Sequence, residues 1–142
     1  MTQETTSEIL NIISYRIEIV AVPDIQELIE LESQNFEKFC FTAIERSTSI
    51  SSINRTQYFA GRFAAKKAVL KVLNREYQQR DLWLDIEIQR LSTGEPSVIL
   101  HNNCQEIAAA LGIEKWLVSI SHTSSYATAS AIALASSSQR LA

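Results

Sequence analysis

The stretch from Arg55 to Leu73 constrains the chain most: it has no proline, and Ala60, Gly61, Ala64, Ala65 and Ala68 recur at three- and four-residue steps. In a helix such steps fall on neighbouring positions of one face, so the pattern predicts a long helix with a small-residue stripe. Phe59, Phe63, Val69 and Leu70 supply bulk. A glycine inside a helix costs roughly 1 kcal/mol relative to alanine, so Gly61 is expected where a neighbour comes close. The same segment carries Arg62, Lys66, Lys67 and Lys71. With the small residues buried and the cations outward, such a helix would present charge to a phosphate, and Lys67 and Lys71 would share a face one turn apart.

The remaining periodicities are mixed. Tyr15 to Val22 alternates and predicts a strand ending at Pro23, with Asp24 at a strand-to-helix junction. Ile25, Leu28 and Ile29 then recur at helical spacing while Gln26, Glu27, Glu30 and Glu32 face away. Thr42-Ala43-Ile44-Glu45 matches a capping box that opens another helix, and the serine-rich Ser47 to Asn54 reads as a loop. Leu84 to Leu91 alternates and can pair with Ser97 to Leu100 across Thr93-Gly94-Glu95-Pro96. A helix follows Asn103 as far as Leu111, with Gly112 as its cap, and Trp116–Ile120 and Ala127–Leu134 read as two further strands. This order predicts an α+β fold with an antiparallel sheet. Residues 1–14 read as an N-terminal extension, 15–135 as the domain and 136–142 as a frayed tail, and there is no internal repeat.

Composition excludes several classes. The 142 residues, 46% of them hydrophobic, suffice for one core and not for two. A net charge of -3 argues against a general nucleic-acid binder. Cys40 and Cys104 lack metal-type spacing and read as small buried hydrophobes rather than a disulfide. The start, Met-Thr-Gln-Glu-Thr-Thr-Ser-Glu, lacks the cationic opening of a signal peptide, so a cytoplasmic location is expected. The apolar run from Ile9 to Val22 is broken by Asn11, Ser14, Arg16 and Glu18, so no membrane span of about 20 apolar residues is expected.

Gly61-Arg62-Phe63-Ala64-Ala65-Lys66-Lys67-Ala68 resembles the G-R-F-A-A-K-E-A motif of the holo-acyl-carrier-protein synthases, a family of 4′-phosphopantetheinyl transferases. Ser119-Ile120-Ser121-His122-Thr123 with Tyr126-Ala127-x-Ala129 resembles that family's S-I-S-H-T-x-x-Y-A-x-A, and Asp24-Ile25-Gln26-Glu27 its D-I-x-E. The resemblance runs from about Ile17 to Leu134. It implies the 4′-phosphopantetheinyl transferase fold of the single-module type, a mostly antiparallel sheet packed against a long helix. The implied reaction moves phosphopantetheine from coenzyme A to a serine of an acyl or peptidyl carrier protein, a step serving fatty acid biosynthesis, in a homotrimer with clefts between subunits.

By the same resemblance Asp24 would bind Mg2+, and Asp24, Lys67 and His122 would carry the chemistry. Arg62, Lys66, Lys71, Ser121, His122 and Thr123 would hold coenzyme A. Taken alone, Asp24 reads as a helix N-cap, the lysines as a solvated face and His122 as a hairpin residue. Two departures stand out. Lys67 occupies the place of the glutamate that gives magnesium its second carboxylate, and Asn74-Arg75-Glu76 replaces a glycine-rich turn. The helix expected to grip an acidic carrier through arginines carries Glu27, Glu30 and Glu32 instead. These departures support a second reading, a non-catalytic homologue that binds coenzyme A or another protein.

Overall fold

In chain order the elements are β1 (Leu10–Ala21), α1 (Val22–Glu32), α2 (Gln34–Cys40), α3 (Ala43–Ile50), α4 (Arg55–Val72), a 3-10 turn (Arg80–Asp85), β2 (Ile86–Arg90), β3 (Pro96–Leu100), α5 (Asn102–Ala110), β4 (Lys115–His122) and β5 (Tyr126–Ser136). They are drawn from a computed structural model that describes residues 9–32, 34–76 and 80–136. Strands β1, β5 and β4 form an antiparallel sheet in that order, and β2 and β3 form a separate hairpin.

Side chains alternate across a strand, and in β5 the inward positions Ala127, Ala129, Ala131 and Ala133 are all buried. Helix α4 lies over them with Ala60, Ala64, Ala65 and Ala68 fully buried in the same cluster. Small residues on both faces allow helix and sheet to approach closely. The approach is tightest at Gly61, where a Cβ would stand 2.8 Å from Ile120 Cγ2 on β4. Gly61→Ala gains about 1 kcal/mol of helix propensity and loses roughly 1–3 kcal/mol to overpacking. We expect net destabilisation of about 1 kcal/mol, seen as a melting temperature lower by roughly 2–4 °C.

Several elements differ from the sequence-based expectation. β1 starts at Leu10, because Leu10 to Ser14 pair with β5 as far as Ser136 around a bulge between Ile12 and Ser14. The rest of the expected tail, and residues 1–8 of the expected extension, lie outside the described residues. α1 begins at Val22, and Pro23 is accommodated because first-turn N–H groups have no intrahelical partner. Helix α2 was not anticipated; its seven residues are too few to show a period, and its buried Phe36 packs edge-on against Phe41. The serines from Ser47 belong to α3 as far as Ile50, not to a loop. Ser49 is buried there, donating to the Arg46 carbonyl at 2.6 Å and accepting from Arg55 Nε at 3.1 Å. Leu84 and Asp85 lie in the 3-10 turn, where Asp85 Oδ2 accepts from the first N–H groups of α5 at Asn103 and Cys104. After α4, Asn74 takes a φ of 60° and Arg75 N–H returns to the Leu70 carbonyl at 2.9 Å, a left-handed cap that asparagine tolerates better than most residues.

Cys40 and Cys104 are not joined in a disulfide. Burial, with Asp85 nearby, pushes the Cys104 thiol up to about 12, which leaves it unreactive. Among the described residues no helix is long and apolar enough to cross a membrane.

Candidate active site

The alternation of β1 turns Glu18 and Val20 inward while Ile17 and Ile19 face out. One turn apart on α4, Lys67 and Lys71 both reach Glu18: Lys67 Nζ lies 3.7 Å from Oε1, and Lys71 Nζ lies 2.8 Å from Oε2. The shared face expected of these lysines is therefore organised around a carboxylate on the neighbouring strand. That carboxylate is Glu18 and not Asp24. Asp24 sits six residues further on, exposed in the first turn of α1. The overlooked signal is an acid at an inward position of an otherwise apolar strand, which needs a cationic partner to be buried.

Lys66 requires a second correction. It is fully buried, and its Nζ donates to Glu45 Oε1 and to the Cys40 carbonyl, each at 2.6 Å. Such a side chain has no route to coenzyme A. Glu45 is equally buried: Oε1 also accepts from Thr42 N–H at 2.9 Å, completing the capping box, and Oε2 accepts from Ile88 N–H at 2.7 Å. Burial draws the Lys66 ammonium below its usual pKa while the charge of Glu45 opposes the shift. This pair ties α3, α4 and β2 together.

Arg62, His122, Gly61 and Tyr58 line a cleft of about 510 Å³ with Arg90 from β2, Gly94 from the β2–β3 turn and Pro96 at the start of β3. Among the described residues no Asp or Glu lines it. The Arg62 guanidinium carbon lies 4.3 Å from the centre of the Tyr58 ring, and its buried Nε has no hydrogen-bond partner among the described residues. Burial lowers the Arg62 pKa and Arg90 adds to the fall; an arginine remains cationic nonetheless. The sequence reading missed Arg90.

His122 and Ser121 are exposed at the end of β4. The Thr123 hydroxyl accepts from Ser125 N–H and Tyr126 N–H, each at 3.1 Å, so it shapes the β4–β5 turn. That turn also holds the start of α1, through Val22 N–H to the Ser125 carbonyl at 2.8 Å.

Within one chain these groups form two separate sets. Five residues of helix separate Arg62 from Lys67, which places them about 140° apart around α4. One face holds Glu18, Lys67 and Lys71, and another faces the cleft of Arg62, Arg90 and His122. Both sets suit phosphate: charge-assisted donors on one side, and a basic recess without carboxylates on the other.

The first set does not suit magnesium. That cation takes oxygen ligands in near-octahedral array, usually one or two carboxylates with phosphates and waters. Glu18 has an ammonium near each oxygen, and among the described residues no three His, Cys, Asp or Glu side chains cluster as a metal site. An ammonium about 4 Å from a divalent ion is repelled by about 8 kcal/mol at an effective dielectric near 20.

A long helix with a cationic face, laid on an antiparallel sheet beside a basic cleft, offers donors of the kind that phosphate esters accept. The family model described as "4′-phosphopantetheinyl transferase superfamily" matches residues 17–131. A holo-[acyl-carrier-protein] synthase of Chlamydia pneumoniae is 36% identical over 126 residues, covering 89% of this chain and 100% of its own. The acyl carrier protein synthase of Plasmodium yoelii, solved with ADP bound, is 29% identical with a TM-score of 0.78 and covers 89% of this chain and 97% of its own. A holo-(acyl-carrier-protein) synthase of Bacillus anthracis, solved in complex with CoA (3′,5′-ADP), is 25% identical with a TM-score of 0.71, covering 87% and 97%. The chain belongs to the 4′-phosphopantetheinyl transferase superfamily and is an enzyme of the holo-acyl-carrier-protein synthase type.

Proposed function

We propose that this chain moves the 4′-phosphopantetheine of coenzyme A onto a serine of a carrier protein. The observation that carries the reading is the pairing of a two-lysine face with a carboxylate-free basic cleft on one helix, in a chain of this family. The serine oxygen bonds to the phosphorus of the pantetheine arm and the bond from that phosphorus to the bridging oxygen breaks. Adenosine 3′,5′-bisphosphate leaves, and the serine proton passes to solvent. Such transfers rest on positioning and charge stabilisation, which the lysines supply at the diphosphate. His122, with Arg62 and Arg90, would hold a further phosphate of coenzyme A. The residues around Glu18 do not suit the magnesium implied by the resemblance, and the charge stabilisation comes from this chain's own cations.

The two cationic sets face apart on α4, so a single cleft can contain both only if neighbouring copies supply them. Tyr15, Ile17 and Ile19 on the outer side of β1 are 59%, 66% and 65% exposed, an apolar stripe of the kind that marks an interface. It supports the homotrimer implied by the resemblance. Light scattering of the natural chain should give the mass of three copies, and Ile17→Lys with Ile19→Lys should give one. A natural chain that is monomeric at working concentration would remove the composite cleft.

A carrier docking on α1 would meet Asp24, Glu27 and Glu30, all exposed, and so needs basic rather than acidic groups at the contact. Intact-mass measurement on a panel of acyl and peptidyl carriers, acidic and basic, should show at least one gaining phosphopantetheine from coenzyme A. A panel untouched by this chain, but modified by an authentic transferase, would favour a module that binds without catalysis.

A further inference from the structure

The ion triad on α4 and β1 has the charge balance of a metal site without the metal. In the arrangement implied by the resemblance, two carboxylates cancel one divalent cation and Lys71 remains as the net positive charge. Here Glu18 cancels Lys67, and Lys71 again remains. The exchange of a carboxylate for an ammonium at position 67 thus removes a ligand and the need for the ion together. Lys67 is also well placed, its side chain 20% exposed and on the same face as Lys71, itself 40% exposed. Resting on the transferase reading above, we infer that Lys67 takes the place of the divalent cation, so that Lys67 and Lys71 together hold the diphosphate of coenzyme A and binding proceeds without magnesium. Glu18 is then the positioning residue that keeps both ammonium groups aimed at one point. The chemistry is unchanged: the bond from the serine oxygen to phosphorus forms and the bond from phosphorus to the bridging oxygen breaks, with the charge of the departing adenosine 3′,5′-bisphosphate met by two ammonium groups.

Thermodynamic linkage supplies the test, because a metal that bridges protein and ligand must change the ligand's affinity, typically by about 5- to 150-fold. Coenzyme A is titrated by calorimetry into the full chain in EDTA and in saturating magnesium. For the natural chain the two affinities should agree within about twofold, below the usual range of such coupling. Lys67→Arg should behave likewise. Lys67→Glu should bind at least about tenfold more weakly in EDTA and recover in magnesium, since it restores a second carboxylate beside Glu18. If the natural chain binds coenzyme A at least about tenfold more tightly with magnesium, the inference falls while the transferase reading stands. Absence of coenzyme A binding in both buffers would overturn the reading and the inference with it. The comparison of buffers on the natural chain needs no variant to fold.

Discussion

Glu45→Ala is expected to destabilise the fold by about 3–5 kcal/mol, the usual cost of removing one partner of a buried ion pair. The carboxylate holds three donors at once: the Lys66 ammonium, Ile88 N–H and Thr42 N–H. Its loss leaves the fully buried ammonium with the Cys40 carbonyl as its remaining described acceptor, and deprives two backbone N–H groups of theirs. A charge without compensation in that position escapes by losing its proton. Glu45 is what raises the Lys66 pKa against burial, so in the variant the folded value falls further below that of the unfolded chain. Between those two values the unfolded state binds more protons, and stability must rise with pH. Urea unfolding of Glu45→Ala should therefore show its deficit at neutral pH and partial recovery in alkali. The double variant Glu45→Ala, Lys66→Met should be more stable than Glu45→Ala alone, since it removes the stranded charge. A single variant within about 1 kcal/mol of the natural chain would show that the pair is not the tie between α3, α4 and β2.

Lys71→Glu is expected to weaken coenzyme A binding by about 100-fold or more. A hydrogen bond to a charged group contributes about 1.5–3 kcal/mol, and each 1.4 kcal/mol is a factor of ten, so Lys71→Ala should lose roughly tenfold to a hundredfold. The reversed charge adds repulsion to the diphosphate and to Glu18. Some stability should be lost as well, because the Glu18 side chain is only 10% exposed and exchanges its 2.8 Å partner for a like charge, so circular dichroism must first show Lys71→Glu folded. Lys115→Glu, exposed at the start of β4, is the control and should leave affinity unchanged. Calorimetric titration with an affinity for Lys71→Glu within about threefold of the natural chain would remove this face from the binding site.

Local chemistry determined much of this fold from the sequence. The capping box at Thr42 and Glu45 needs two residues three apart, and it forms as read. The small-residue stripe needs the helical period alone, and α4 runs from Arg55 to Val72 with its alanines buried, one residue short of the expected end. Alternation placed β4 and β5, whose observed ends extend past the expected ones because strand pairing, not composition, decides where a strand stops. The family too was legible, in the segments at Gly61 and Ser119.

Tertiary structure decided which charges serve the surface and which the interior. Along α4, Lys66 and Lys67 are adjacent cations of equal promise. About 100° of helical rotation sends one into the core and the other to the working face. Lys66 is admitted to the core only because Glu45, 21 residues earlier, arrives there with Oε1 accepting from the ammonium as well as from the Thr42 N–H of its own cap. The acid that answers Lys67 could not be chosen by local motif, since Asp24 carries the more familiar neighbours while Glu18 lies inside an apolar strand. What selects Glu18 is the pleat of β1 laid against α4, a contact between residues about fifty positions apart that no local period encodes.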